Sequence, residues 1–210
     1  MYLLTRAACF LFLWTGLAPT PPEKAAELLN RSQTRLMSLQ GIELDFRSRI
    51  AIPGLTETIR QQGSIRFSQG RYVVQTDQEA IYCNLGQQWL VDLAGNTYQV
   101  APYDPDHDLT LEVIFQLFRN RQQASYEGLE TVEGRPCHRI FIPLADSRLD
   151  HTQAVVWMDP TTFMLAKVTL IDRRQATTTY WFSELRTGAD FSPQAFTFDA
   201  ARYPGMRRRW

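Results

Sequence analysis

The sequence predicts a mainly β protein with two helices, an α+β fold in which an antiparallel sheet of about eleven strands forms an unclosed barrel capped by the helices. Three observations predict this fold class. Apolar residues recur every three or four positions in one early segment, they alternate with polar residues in many later segments, and turn sequences closely separate those later segments. Because so many strands rarely form one flat sheet, the sheet is expected to curl.

The N-terminal segment 1–18 is predicted to be a cleaved signal peptide rather than part of the fold. A single arginine precedes an apolar run, and the small residues Gly16 and Ala18 suit a signal-peptidase site. Pro19 is unfavourable directly after the cut, so cleavage is expected somewhere within 16–20. The apolar run is shorter than the ~20 residues that a spanning helix needs. Export from the cytoplasm is therefore expected.

One amphipathic helix is predicted directly after this segment. Pro21 and Pro22 suit a first helical turn, and Glu23 complements the helix dipole there. Spacings of three and four place one set of residues on a single helix face: Ala25, Leu28, Leu29, Ser32, Leu36 and Leu39. Gly41 is predicted to end the helix in the usual C-terminal position.

Strands follow the helix for most of the chain. Apolar and polar residues alternate from Ile42 to Ile52, which predicts a half-buried strand that Pro53 and Gly54 end. Further strands are predicted at 64–68, 71–76, 79–83, 88–93, 97–101, 123–126, 137–143, 153–159, 163–171 and 177–183. A second helix over 109–120 interrupts them. Short strands joined by tight turns predict antiparallel pairing between neighbours.

Length and charge limit the classes of protein that the chain can represent. With 210 residues and 44% hydrophobic content, it is long enough for one globular domain and too apolar to be disordered. The domain is expected to span 21–206, followed by a short basic tail at 207–210. The 22 Lys and Arg balance the 22 Asp and Glu, so the neutral chain lacks the basic excess of a nucleic-acid-binding protein.

The sequence contains no recognisable catalytic or metal-binding constellation. Asp104, Asp106 and Asp108 alternate as at the start of a calcium loop, but Leu109 and Phe115 stand where such a loop needs Gly and Glu. The three histidines are isolated, and nucleophile-elbow, phosphate-binding and dinucleotide-binding motifs are absent. The protein is therefore predicted not to be an enzyme and to need no metal or cofactor.

Two cysteines, Cys83 and Cys137, lie within the predicted domain. Both fall in strand-like segments, and an oxidising compartment permits one disulfide between them. Two buried free thiols fit the same pattern, so both alternatives remain open at this level.

The positive functional signal is apolar. Large aromatic residues are spread over many of the predicted strands. A curled sheet of this many strands encloses more volume than its own side chains easily fill, and larger barrels hold ligand cavities. These features favour a protein that binds an apolar ligand over an enzyme.

Four motifs occur in order along the chain: the N-terminal helix running into Leu44–Phe46, the pair Gln62–Phe67 and Arg71–Tyr72, the loop Tyr103–Asp106 with Ile114–Phe115 after it, and Phe196–Asp199 with Tyr203–Gly205. This ordered set resembles the LolA-type periplasmic carriers of outer-membrane lipoproteins, particularly the branch found in Bacteroidetes-like bacteria. The resemblance covers essentially the whole predicted domain.

The resemblance implies an unclosed antiparallel barrel capped by helices, whose cavity shelters the acyl chains of lipoproteins. Such a carrier takes its cargo from an inner-membrane ABC transporter and delivers it to an acceptor at the outer membrane. A monomer is expected. A carrier of another lipid or of a hydrophobic pigment precursor, and a periplasmic lipid-sensing interaction module, are the alternatives.

Site residues follow from combining this resemblance with the predicted strands. The cavity lining is assigned to Phe46, Ile65, Phe67, Tyr72, Trp89, Phe115, Phe118, Met158 and Trp181. The lid is assigned to Leu29, Leu36, Leu111 and Ile114. Enterobacterial members of the family have an Arg-Pro pair whose arginine hydrogen-bonds the lid shut, whereas this chain has Gln69-Gly70. Gln69 is thus the candidate gate, with a weaker hydrogen bond than a guanidinium gives.

Overall fold

The computed structural model describes residues 20–103, 117–118, 121–144 and 150–209 of the chain. These residues form α1 (Pro21–Ser38) and the strands β1 (Ile42–Ala51), β2 (Thr58–Ser68), β3 (Arg71–Thr76), β4 (Glu79–Cys83), β5 (Gln87–Asp92), β6 (Thr97–Pro102), β7 (Ser125–Val132), β8 (Arg135–Pro143), β9 (His151–Met158), β10 (Leu165–Asp172), β11 (Thr177–Thr187) and β12 (Arg207–Arg208). Short 3-10 turns lie at Arg121–Gln123, Pro193–Phe196 and Ala200–Arg202.

The strands form a single open sheet. Their order is β12-β6-β5-β4-β3-β2-β1-β11-β10-β9-β8-β7. Neighbouring strands are antiparallel except β12, which runs parallel to β6. Within the described residues β12 and β7 end the sheet without pairing to each other, so the barrel is not closed. The predicted fold class, a mainly β protein with an unclosed antiparallel sheet, is confirmed.

The first predicted helix is confirmed as α1. Its backbone begins at a hydrogen bond in which the Thr20 amide donates to the Glu23 carboxylate at 2.9 Å, and this bond lowers the pKa of Glu23. The helix ends at Ser38, before Gly41. A Cβ at Gly41 would lie 2.0 Å from the carbonyl oxygen of Ala189, so close backbone approach, and not a helix cap, explains this glycine.

The strands are longer than predicted where their sequences are polar. β2 begins at Thr58 instead of Ser64, and its polar first half is held by a continuous register with β1. β7 continues to Val132 and forms a hairpin with β8. Cross-strand hydrogen bonds stabilise these polar segments, which lack the alternation that predicts a strand.

The C-terminal residues do not form a free tail. Arg207 and Arg208 pair with Thr97 and Tyr98 of β6, and the Arg209 amide donates to the Tyr98 carbonyl at 2.7 Å. The short basic tail predicted at 207–210 thus pairs with a sheet edge through the backbone of 207–209, while the side chains of these residues stay exposed.

The second predicted helix, 109–120, lies outside the described residues except for Leu117 and Phe118, which are buried. Within the described residues, none of the helical structure is long and apolar enough to cross a membrane.

Candidate functional site

The two faces of the sheet carry separate apolar clusters. We call the face on which α1 packs the helix face, and the opposite one the outer face. The helix-face cluster joins Ala25, Leu28 and Leu29 of α1 to side chains from strands across most of the sheet. Two smaller clusters lie on the outer face, one beneath the C-terminal segment and one around Trp157.

Most of the described residues that were assigned to the cavity or the lid meet on the helix face. Buried members of this cluster include Leu29, Phe46, Ile65, Phe67, Tyr72, Phe118 and Met158. Leu36 packs against its margin. Leu111, Ile114 and Phe115 lie outside the described residues.

Two predicted lining residues lie on the other side of the sheet. Trp89 packs with Phe196 and Phe198 in the outer cluster beneath the C-terminal segment. Trp181 lies on the outer face around Trp157. Both assignments to the helix-face lining are wrong because adjacent residues of a strand point to opposite faces, so an error of one residue moves a side chain through the sheet.

Sequence reasoning missed Tyr180 and Phe182, the two residues that flank Trp181 on β11. Phe46 of β1 pairs with Phe182 of β11, which puts both on the helix face. The rings of Phe46 and Tyr180 are 6.2 Å apart, and those of Tyr180 and Phe182 stack with centroids 6.5 Å apart. Alternation in β11 was the available signal, but the choice between its two faces needed the pairing with β1.

A cavity of about 50 Å³ lies among these rings. Its walls combine apolar side chains with a polar rim: Phe46, Ile65, Val74, Ile81, Tyr180 and Phe182, with Gln61, Thr76 and Glu79. A cavity of this size holds only a few water molecules, so it is far too small for an acyl chain. A chain can enter only if α1 or the surrounding side chains move.

Helix α1 lies closest to one edge of the sheet, at β7 and the adjoining 3-10 turn. The Lys24 ammonium lies 4.0 Å from the centroid of the Tyr126 ring, and Arg121 donates to the Gln33 side chain at 3.2 Å. Near the surface, each such hydrogen bond or cation–π contact contributes only a modest amount to the free energy of unfolding. The helix is therefore attached along β7 while its apolar face covers the helix-face cluster.

His138 lies beside this attachment. Its Nδ1 is 3.2 Å from the Tyr126 hydroxyl, and burial followed by the charge of Lys24 lowers the His138 pKa. Because the unfolded chain takes up this proton at a higher pH than the folded chain, stability is complete above the ordinary histidine pKa of ~6.5 and falls as the pH drops towards the lowered value.

We therefore expect urea unfolding to show a smaller free energy at about pH 5.5 than at about pH 7.5, and His138→Gln to reduce that difference. Glutamine retains a hydrogen-bond partner for Tyr126, which limits structural loss. Equal pH dependence in the wild type and the variant would contradict the assignment.

The candidate gate Gln69 lies exposed in the β2–β3 turn with a positive φ of 51°. It precedes Gly70, which also has a positive φ. The location after the second strand agrees with the sequence analysis, and the gating role stays a prediction.

Cys83 and Cys137 are both buried and are not joined to each other by a disulfide. Cys83 belongs to the helix-face cluster and Cys137 to an outer cluster, so the sheet separates them. The Cys83–Cys137 disulfide, one of the two alternatives that the sequence left open, is therefore not formed in the structure. Burial raises the pKa of Cys137, which keeps that thiol protonated and unreactive.

An alternating row of cations and indoles crosses the outer face. Arg139, Trp157, Lys167, Trp181 and Arg47 are consecutive cross-strand partners on five strands. The Lys167 ammonium lies 3.8 Å from the Trp157 ring centroid and 5.9 Å from that of Trp181. The Arg47 guanidinium lies 4.9 Å from the Trp181 centroid.

Carboxylates complete this row at both ends. Arg47 forms an ion pair with Glu133, and Arg139 with Glu127 and Glu130. Burial chiefly lowers the pKa of Lys167, and the positive charges of Arg139 and Arg49 add to the effect. The charged side chains of the row cover the outer cluster around Trp157, and each of them contacts a carboxylate or an indole ring.

The arrangement is that of an open half-barrel whose apolar face is covered by a helix attached at one edge. Among the solved structures that share the fold are the following three. A Vibrio parahaemolyticus domain named for outer membrane lipoprotein sorting aligns over 83% of this chain and 97% of its own, with a TM-score of 0.51 and 14% identity. A DUF1329 family protein from Desulfovibrio piger has a TM-score of 0.50 and 12% identity over 85% of this chain and 98% of its own.

An uncharacterised conserved protein from Thermus thermophilus has a TM-score of 0.51 and 9% identity over 89% of this chain and 99% of its own. At these identities the likeness shows a shared fold. No protein-family model matches the sequence, and no curated protein matches it.

Proposed function

We propose that the protein is a periplasmic carrier that shelters the acyl chains of lipoproteins or other acylated lipids between α1 and the helix face of the sheet. The observation that carries the proposal is the apolar helix face, which α1, attached along one edge of the sheet, covers. The fold shared with a lipoprotein-sorting domain supports it. Loading from an inner-membrane transporter and delivery to an outer-membrane acceptor, as in Bacteroidetes-like carriers, belong to the same proposal.

The mechanism is an exchange of apolar contacts rather than a chemical reaction. Each exposed CH₂ of an acyl chain costs ~0.8 kcal/mol in water, so long chains need cover while crossing the periplasm. In the described state, Leu28 and Leu29 of α1 occupy the apolar face. Loading replaces their contacts by contacts with the chain. The contacts that α1 loses are offset by those that the acyl chain gains. Transfer therefore requires only a small difference in affinity for the chain between the states with the helix face covered and uncovered by α1.

A fluorescent fatty-acid analogue tests the proposal directly. We expect saturable binding to the full chain, and at least a roughly tenfold loss of affinity in Phe182→Asp, because this half-buried ring borders the cavity and a carboxylate there would be desolvated by the bound chain. Affinity is read from a fluorescence titration, and circular dichroism verifies that the variant is folded.

Leu85→Asp is the matched control, since Leu85 is an exposed apolar residue in the β4–β5 turn and belongs to none of the three apolar clusters. It should bind the analogue as the wild type does. Absence of saturable binding, or equal affinity in a folded Phe182→Asp variant, would refute the carrier proposal. Mass spectrometry of cargo purified with the protein from the native periplasm then distinguishes lipoproteins from free lipids.

A further inference from the structure

A larger groove, of about 690 Å³, lies where the β1–β2 hairpin extends beyond β3. Residues 58–62 of β2 pair with β1, whereas the pairing of β2 with β3 begins only at Gly63. The walls include Arg47, Arg49, Arg60 and Trp181. Three guanidinium groups thus line one groove of a chain whose formal net charge is zero.

Arg49 and Arg60 lie on the outer face and differ from Arg47 and Lys167, the cations of the neighbouring row. They are directly opposite each other in the β1–β2 register, an arrangement of like charges that is unfavourable by itself. Arg47 has Glu133 as a partner, and Lys167 lies over an indole ring. Within the described residues, Arg49 and Arg60 have no ion pair and no side-chain hydrogen bond. The pair is therefore available to an anion.

The groove adjoins the apolar cavity of the helix face. Gln61, which lies between Arg60 and Gln62 on β2, contributes to the walls of both. Phe46 in the cavity and Arg49 are three residues apart on β1, so their Cα atoms are roughly 10 Å apart while their side chains point to the helix face and the outer face respectively. One amphiphilic molecule that passes over the edge of β2 at 58–62, where β3 does not pair, can thus have its chain on the helix face and its headgroup on the outer face.

We propose that the carried molecule is an acyl lipid with an anionic headgroup, whose phosphate or carboxylate binds Arg49 and Arg60 while its chain occupies the helix-face cavity. This inference rests on the proposed carrier function and specifies its ligand. Guanidinium groups bind such oxygens through paired hydrogen bonds, and a bound anion relieves the repulsion between the two arginines. Asp77, also in the groove wall, opposes the anion and limits its affinity.

Displacement of the fluorescent fatty-acid analogue measures headgroup preference. The competitors are an oleoyl lysophosphatidate, which is anionic, and oleoylglycerol, which is neutral and has the same chain; both are used as monomers. We expect the lysophosphatidate to compete at an at least tenfold lower concentration in the wild type. The preference should fall to about twofold in Arg49→Gln/Arg60→Gln and increase in Asp77→Asn.

Arg202→Gln/Arg207→Gln removes the same charge from exposed positions in the C-terminal segment and should retain the wild-type preference. Inorganic phosphate alone should not displace the analogue, because it lacks the chain. Equal competition by the two lipids in the wild type, or an undiminished preference in Arg49→Gln/Arg60→Gln, would overturn the headgroup assignment while leaving acyl binding intact. Failure of the analogue to bind at all would instead remove the carrier function itself.

Discussion

Replacing Leu29 by alanine should lower the free energy of unfolding by about 2–5 kcal/mol, the usual cost of truncating a fully buried leucine. Leu29 is 1% exposed and lies at the centre of the contact between α1 and the sheet. Its side chain contributes the apolar area that holds the helix in place, and the cavity left behind cannot be filled by solvent at no cost.

Met37→Ala on the same helix is the control. Met37 is 68% exposed, so its loss should change the free energy of unfolding by no more than about 0.5 kcal/mol. Urea unfolding measures the free energy of unfolding of both variants, provided that its dependence on urea concentration stays the same as in the wild type. Similar costs for the two substitutions would show that α1 does not use this face to pack.

Leu29→Ala also links stability to the proposed function. If α1 and the acyl chain compete for the helix face, a weakened helix contact should increase the affinity for the fatty-acid analogue. Lower affinity in a folded Leu29→Ala protein would mean that Leu29 binds the chain directly instead of competing with it.

Trp157→Ala should lower the free energy of unfolding by about 3–5 kcal/mol, as expected for a buried tryptophan. Trp157 is 5% exposed although no helix covers the cluster around it in the described part of the chain, because the side chains of Lys167 and Arg139 lie over its ring. The substitution removes the ring and exposes the apolar cluster beneath it.

Two milder variants separate the origins of this effect. Lys167→Met retains most of the aliphatic chain and removes the ammonium, so it should cost only about 0.5–2 kcal/mol, the range of cation–π contacts. Trp157→Phe removes an indole N–H that is buried without a hydrogen-bond partner in the described residues, which partly offsets the loss of ring area. If urea unfolding shows that Lys167→Met lowers the free energy of unfolding as much as Trp157→Ala does, then charge, and not apolar packing, dominates the stability of the outer face.

The sequence predicted α1 well because one helix face is a local property. The residues that contact the sheet repeat every three or four positions, and the repeat does not depend on what they contact. The order of tight turns predicted neighbouring antiparallel strands for the same reason, since each turn joins two segments that are adjacent in the chain.

The functional residues were harder to predict where two strands far apart in sequence pair. Trp181 was assigned to the cavity and lies on the outer face, whereas Tyr180 and Phe182 border the cavity. Alternation showed that these residues divide between two faces. Only the pairing of Phe46 with Phe182 identified the face that each occupies.

By itself, then, the sequence determined the class of fold, the amphipathic helix and the apolar character of the site. The tertiary structure alone decided which face of each strand meets α1, that Cys83 and Cys137 are separated by the sheet, and that Arg49 and Arg60 stand opposite each other on the outer face. The physical reason is that side-chain periodicity is encoded locally, whereas register between strands is set by hydrogen bonds and packing across the whole sheet.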